Sequence, residues 1–120
     1  MLTGSVDLSG SYQLENVSGV SVVRLLEPCD ANVLKSLREA VTPQVGCCIA
    51  VDLSRVDFLD SAALGWLMSL YRRVLAVDGR FCVFAVSPQV MTILELTKVH
   101  NILPVTADEA AALELLSAPI

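Results

Sequence analysis

The chain has 120 residues, of which 54% are hydrophobic and 18% charged, so it can bury one core and is not a disordered chain. Its net charge of −5 argues against nucleic acid as a partner, because binding phosphates requires a basic surface. The uninterrupted apolar runs are far shorter than the ~20 residues of a membrane-spanning helix, and the amino terminus lacks the pattern of a signal peptide. We therefore expect a cytoplasmic protein with no direct membrane insertion.

The first part of the chain predicts a tail, a β-hairpin and a helix. Residues 1–11 are small and polar and are expected to form a flexible tail. Two segments rich in β-branched and apolar residues, Tyr12–Val17 and Val20–Leu26, flank Ser18-Gly19, a pair suited to a tight turn. Asp30 is then placed to cap a helix in which apolar residues recur at helical spacing.

The rest of the chain alternates strands with helices. Continuous apolar runs at Cys47–Val51 and Phe81–Val86 are typical of strands buried on both faces. The predicted helices and the brief last strand are 61–77, a short helix from Ser87-Pro88, strand 103–105 and helix 108–116. A helix between successive buried strands implies a parallel sheet. The sequence thus predicts a single α/β domain over residues 12–116, with a mixed, mostly parallel central sheet, an amino-terminal hairpin, about four helices and a tail at 117–120.

The longest predicted helix has apolar residues on more than one side. Helical spacing predicts a core stripe of six residues: Leu64, Leu67, Met68, Tyr71, Val74 and Leu75. Trp66, Leu70 and Val77 lie off this stripe. They either pack against a neighbouring helix or form an exposed apolar patch for a partner protein.

The residues that could carry catalysis or hold a metal are poorly arranged for either role. Cys47 and Cys48 are adjacent in a strand and point to opposite faces, and with a single histidine there is no zinc spacing, so we interpret the cysteines as core thiols. His100 is far along the chain from Ser61, and no phosphate-binding glycine loop occurs. We expect no enzyme activity, no catalytic residue, no metal and no cofactor.

The segment Asp52–Gly65 is the main candidate site, because ligands and partners of parallel sheets collect where strands end and helices begin. Asp60 and Ser61 stand at a helix start, where free backbone N–H groups favour negative charge. One interpretation is that Asp60 only caps the helix. The other is that the helix start is a contact surface, since the small residues around Ala62 would let another chain approach the backbone closely.

Several motifs in this order resemble the STAS domain family, whose type members are bacterial anti-sigma factor antagonists. They are Asp52-Leu53-Ser54, Phe58-Leu59-Asp60-Ser61-Ala62-Ala63-Leu64-Gly65, Tyr71-Arg72-Arg73, Gly79-Arg80, Ser87-Pro88-Gln89-Val90, Leu94-Glu95-Leu96-Thr97 and Leu103-Pro104-Val105. The resemblance extends from about residue 12 to 116 and implies the fold predicted above.

The resemblance implies a function in protein binding. In such antagonists the loop and helix start bind an anti-sigma factor, a serine kinase that phosphorylates a Ser or Thr in the pattern Asp-Ser-Ser/Thr-Gly-Leu and so ends the binding. Here Ala62 stands at the phosphoacceptor position and Ala63 at the glycine position, so either Ser61 accepts the phosphate or, as we favour, no phosphorylation switch operates. The expected partner-binding residues are Asp30, Asp57, Phe58, Asp60, Ser61, Ala62, Ala63, Gly65 and Trp66.

A second function is also implied. Some STAS domains are accessory subunits or domains of membrane transport systems, where they bind a transporter ATPase or belong to an anion transporter. The missing phosphoacceptor at Ala62 suits that function as well, and the residues of the chain do not separate the two.

Overall fold

The computed structural model describes residues 5–6, 11–26 and 31–117. Its elements, in chain order, are β1 (Ser5–Val6), β2 (Tyr12–Val17), β3 (Val20–Leu25), α1 (Ala31–Ala40), β4 (Cys48–Asp52), α2 (Ser61–Ala76), β5 (Arg80–Phe84), α3 (Pro88–Leu96), a 3₁₀ turn (Val99–Asn101), β6 (Val105–Thr106) and α4 (Glu109–Ser117). The predicted α/β class and order of elements are confirmed. Asp30, predicted as a helix cap and a contact residue, lies outside the described residues.

The six strands form one mixed sheet in chain order. β1, β2 and β3 are antiparallel neighbours, and β3 to β6 are parallel. The hairpin between β2 and β3 turns at Ser18 and Gly19, whose φ angles of 52° and 83° suit the tight turns that match strand twist. β1 is an addition to the prediction, because its two residues lie in the segment expected to be a tail.

Helices cover both faces of the sheet. α1, α2 and α3 bury their apolar residues on one face, together with side chains such as Val23, Val51 and Val83. α4 covers the other face through Ala112 and Leu116. Strand side chains alternate between these two layers, which explains why the central strands are continuously apolar.

The cysteines follow this two-layer arrangement. Cys47 packs against the layer of three helices and Cys48 against the layer of α4, which confirms that they point to opposite faces. Both are free thiols, as is Cys82, which is fully buried. Burial raises the pKa of the Cys82 thiol, so this cysteine behaves as an apolar core residue.

The face that α2 buries differs from the predicted stripe. The buried residues of α2 are Ala63, Trp66, Leu67, Leu70 and Val74. Leu75, predicted to be in the core, is 49% exposed. Of the two interpretations left open for Trp66 and Leu70, burial is therefore correct, because the helix is rotated so that the small Ala63 faces the core.

Candidate functional site

The loop between β4 and α2 is held firmly at the carboxyl edge of the sheet. The N–H of Leu53 donates to the carbonyl oxygen of Phe84 at 3.1 Å, which ties the loop to β5. The Ser87 hydroxyl donates to the carbonyl oxygen of Val56 at 3.2 Å and also accepts the N–H of Val90, so the same side chain caps α3. Leu53, Val56 and Leu59 are buried, so this loop is anchored on its inner side.

Asp60 begins α2. Its backbone is extended, and its side-chain oxygen accepts the N–H of Ala63 at 2.8 Å. The Asp60 carbonyl oxygen accepts the N–H of Leu64 at 3.0 Å, which starts the helical hydrogen-bond ladder. Asp60 is therefore an N-cap, a role that contributes roughly 1 kcal/mol to helix stability. The capping interpretation is correct, while a contact role for the exposed carboxylate stays a prediction.

The predicted contact residues separate into an exposed and a buried set. We use the name α2 entry surface for the exposed residues around the helix start: Asp57, Phe58, Asp60, Ser61, Ala62 and Gly65. Phe58 is 57% exposed although it is a large aromatic residue. Ala63 and Trp66 were predicted to contact a partner, but they are only 4% and 2% exposed. That prediction is wrong for direct contact, because both side chains point into the core.

Gly65 lies near the beginning of α2, and no packing contact within the protein explains why this residue is a glycine. A methyl group built at this position meets no atom within 4 Å. Glycine inside a helix costs about 1 kcal/mol relative to alanine. Nothing in the described part of the chain therefore requires a residue as small as glycine at this exposed position.

A cluster of charges lies next to the site, at the carboxyl ends of β3 and β4. Arg24 donates to Glu109 at 2.7 Å, to Glu15 at 2.8 Å and to Asp52 at 3.0 Å. The other oxygen of Asp52 accepts the N–H of Ser54 at 2.9 Å, which fixes the beginning of the loop. These contacts, with Glu109 first, raise the pKa of Arg24 above its usual value. Asp52 is thus engaged in holding the structure.

Arg24 was not among the residues predicted from the sequence. A signal was present, because Arg24 is the one charged residue of the predicted strand 20–26, whose other residues are apolar except for Ser21, and such a charge requires partners when the strand is central. The identity of those partners could not be predicted, since Glu109 is 85 positions away in the chain.

The single histidine lies away from the α2 entry surface in the sequence and has a local contact. His100 belongs to the 3₁₀ turn after α3, and its Nδ1 donates to the carbonyl oxygen of Leu94 at 3.2 Å. Within residues 5–6, 11–26 and 31–117, no group of three His, Cys, Asp or Glu residues is arranged to hold a metal ion. The helices of that same part of the chain are all too short or too polar to cross a bilayer.

Comparison with known proteins agrees with this architecture. The family model of the STAS domain matches residues 11–112. The chain belongs to the STAS domain family. In this STAS domain, the matched region contains the carboxyl edge of the sheet, the α2 entry surface and the Arg24 cluster.

Individual relatives come from two functional settings. The STAS domain is 28% identical over 105 residues to an anti-sigma F factor antagonist of Paenibacillus polymyxa, covering 84% of this chain and 90% of the relative. An anti-sigma-factor antagonist (STAS) domain protein of Planctomyces limnophilus has the same fold, with a TM-score of 0.80, 18% identity and coverage of 89% and 98%. A sulfate transporter family protein of Wolinella succinogenes also has it, with a TM-score of 0.70, 18% identity and coverage of 83% and 86%.

Proposed function

We propose that this STAS domain is a cytoplasmic, non-enzymatic regulatory module that binds an anti-sigma factor of the serine-kinase type through its α2 entry surface. The observation that carries the proposal is the exposure of the helix start, next to a loop that is hydrogen-bonded to Phe84 and Ser87. Phe58 and the small residues Ser61, Ala62 and Gly65 are all accessible there. The antagonist from Paenibacillus polymyxa, which aligns over most of this chain, supports the same class of partner.

The shape of the α2 entry surface supports close contact with another chain. Gly65 and Ala62 are exposed and one turn apart on the same helix, so a partner can approach the backbone of α2 between them. The space beyond Gly65 is open, and the exposed Phe58 in the loop before α2 offers an aromatic anchor of the type enriched at interfaces.

We further propose that this binding is not switched by phosphorylation. Ala62, at the position of the phosphoacceptor in related antagonists, has no hydroxyl group to modify. Ser61 is exposed and is the remaining acceptor in this motif, at the first helical position. The α2 entry surface then acts as a fixed docking surface, whose occupancy depends on the amount of each protein.

A charge at Ala62 provides the direct test of the docking surface. We expect Ala62→Glu to weaken binding to the purified anti-sigma factor by about 100-fold or more, because the new carboxylate would be desolvated in the interface without a partner. Its stability should be unchanged or slightly higher, since an acid in the first turn of a helix is favourable by about 0.3–1 kcal/mol. Isothermal titration calorimetry and thermal unfolding measure the two quantities.

Two controls separate charge, size and position in this experiment. Ala62→Gln adds the same bulk without charge and should lose less affinity. Ala76→Glu makes the same change at an exposed position in the last turn of α2 and should bind like the unmodified protein. Normal binding by Ala62→Glu would refute the proposed surface. Asp60→Lys is a poorer test, because it also removes the helix cap.

Incubation with the kinase and ATP tests whether this chain can be phosphorylated at the α2 entry surface. The unmodified chain should take up no phosphate, whereas Ala62→Ser, which restores a hydroxyl at the acceptor position, should become phosphorylated on the new serine. Intact-mass measurement and peptide mapping read the result. Phosphate on Ser61 of the unmodified chain would contradict fixed docking, and phosphate on any other residue would contradict the alignment of the motif.

A function in membrane transport is the second candidate, and the likeness to the sulfate transporter family protein supports it. The chain would then bind a transporter or a transporter ATPase through the same accessible surface. Purification from the native cell followed by mass spectrometry separates the two candidates. Recovery of a transporter subunit that Ala62→Glu fails to retain would favour this candidate over the anti-sigma factor.

A further inference from the structure

Basic residues are concentrated on two neighbouring helices of an acidic chain. α1 and α2 carry four of the eight lysines and arginines but only Glu39 of the thirteen acidic residues, which gives the two helices a net charge of +3, whereas the whole chain has −5. The four basic residues are Lys35, Arg38, Arg72 and Arg73, and we name the surface that they form the α1–α2 basic face. Because Arg72 lies roughly 16 Å along α2 from the start of the helix, this face is separate from the α2 entry surface.

The basic residues of α1 lie on the side of that helix nearer α2. The two helices pack side by side on the same face of the sheet. Ser36 hydrogen-bonds to Tyr12 of β2 at 2.7 Å, so this side of α1 faces the hairpin, which is on the far side of α1 from α2. Arg38 is about 200° of helical rotation from Ser36 and therefore lies toward α2, with Lys35 beside it on the solvent side.

Arg73 has the corresponding position on α2. Tyr71 packs against Phe81 of β5, with ring centroids 5.8 Å apart, so that side of α2 faces away from α1. Arg73 is about 200° around the helix from Tyr71 and lies toward α1, while Arg72 between them is exposed to solvent. Cations from both helices consequently border the groove between α1 and α2.

These cations have no partner within the described part of the protein. Among residues 5–6, 11–26 and 31–117, no ion pair or hydrogen bond engages the side chains of Lys35, Arg38, Arg72 and Arg73. Glu39 follows Lys35 by four residues on α1, a spacing that permits an ion pair, but the structure shows none between them. Three guanidinium groups and one ammonium group are therefore available to another molecule.

The composition of this face favours an acidic protein segment as its partner. Among the strongly exposed large apolar residues of the described chain, Leu75 is the one that belongs to α1 or α2, and it is one turn after Tyr71 on the side away from α1. The face thus lacks the apolar residues that interfacial helices insert into lipid. Four cations are also few for a nucleic-acid backbone, to which binding proteins commonly make about 6–10 phosphate contacts.

We propose that the α1–α2 basic face docks an acidic segment of a partner protein, whose carboxylates pair with Arg38, Arg72 and Arg73. An arginine binds a carboxylate through two parallel hydrogen bonds, which lysine cannot provide. Each exposed ion pair contributes little by itself, so several together hold the segment, and the opposite charges speed the encounter. This inference does not depend on the proposed function.

A peptide of about ten glutamate residues is the probe, because an extended chain of that length spans roughly 30 Å, whereas α1 is about 15 Å long. In ¹H–¹⁵N correlation spectra at low salt, the amide signals around Arg38 and Arg72 should shift to saturation with one peptide per chain. Arg38→Gln and Arg72→Gln should each weaken binding by about threefold, and together by about tenfold, with unchanged thermal unfolding. Lys98→Gln removes an exposed cation just after α3 and should bind the peptide like the unmodified protein.

Three other probes complete the test: a glutamine peptide of the same length, oligothymidylate, and vesicles containing anionic lipid. The glutamine peptide should not bind. Its equal binding, the absence of saturable shifts with the glutamate peptide, shifts located outside the two helices, or equal effects of Arg72→Gln and Lys98→Gln would each overturn the proposal. Tighter binding of oligothymidylate than of the glutamate peptide, or binding only to the vesicles, would overturn it in favour of a phosphate or membrane surface.

Discussion

Replacing Trp66 with alanine is expected to lower the free energy of unfolding by about 3–5 kcal/mol. The indole ring is 2% exposed and belongs to the core layer between the sheet and the three helices α1, α2 and α3. Its removal leaves a cavity that neighbouring side chains fill only in part. Since domains of this size are stable by about 5–15 kcal/mol, the variant should lose a large share of its stability.

Urea unfolding followed by circular dichroism is the suitable measurement, because Trp66 is the one tryptophan of the chain and its fluorescence disappears with it. The matched control is Phe58→Ala, which removes an aromatic side chain that is 57% exposed. We expect that control to change stability by less than about 0.5–1 kcal/mol. Under the proposed function it should nevertheless weaken binding to the anti-sigma factor, since Phe58 lies in the α2 entry surface.

The two variants separate the core from the contact surface. A loss below about 1 kcal/mol for Trp66→Ala would mean that the ring is at the surface, as its inclusion among the contact residues had predicted. Loss of binding in Trp66→Ala together with a lowered unfolding free energy reflects damage to the fold. Loss of binding in Phe58→Ala with normal stability reflects a direct contact.

The error about Trp66 has a physical origin in the composition of α2. This helix is apolar on most of its circumference, so helical periodicity offers two overlapping stripes that share Leu67 and Val74. One stripe contains Leu64 and Leu75, and the other contains Ala63 and Trp66. The choice between them depends on how the helix rotates against the sheet, which is a property of tertiary packing and not of spacing along the chain.

Other features were predictable because their signals are local. The tight turn at Ser18-Gly19 and the caps Asp60 and Ser87 each follow from a few adjacent residues. The location of the candidate site at the carboxyl edge followed from the order of strands and helices. Which residues of the site are exposed did not follow, since exposure is set by the rotation of α2.

Removal of Arg24 is the second change with a large expected effect. We expect Arg24→Met to lower the free energy of unfolding by roughly 2–3 kcal/mol, less than for a fully buried pair because the cluster is partly exposed. Methionine can replace the packing of the aliphatic stem, so the loss reports mainly on charge. Three carboxylates, from Glu15, Asp52 and Glu109, would then face one another without a cation.

Matched variants define what the charge contributes. Arg24→Lys keeps the charge but lacks the planar fork that serves three carboxylates, so its stability should lie between those of the unmodified protein and Arg24→Met. Arg72→Met removes an exposed arginine on α2 and should cost less than about 0.5 kcal/mol. Equal stability of the Arg24→Met and Arg72→Met variants would show that the cluster adds nothing to the fold.

The salt dependence of the Arg24→Met defect identifies its cause. The pKa of Arg24 is raised by its hydrogen bonds to Glu109, Glu15 and Asp52, so its stabilising effect is fully present below the ordinary arginine pKa and is lost only at more alkaline pH. The arginine is therefore charged at neutral pH. Added salt screens its attraction to the three carboxylates, and in the variant it screens their mutual repulsion. The stability difference between the two proteins should therefore shrink as the salt concentration rises, whereas a defect caused by lost packing would be the same at low and high salt. Because Asp52 also holds the N–H of Ser54, the same variant should alter the amide signals of the loop that leads to the α2 entry surface.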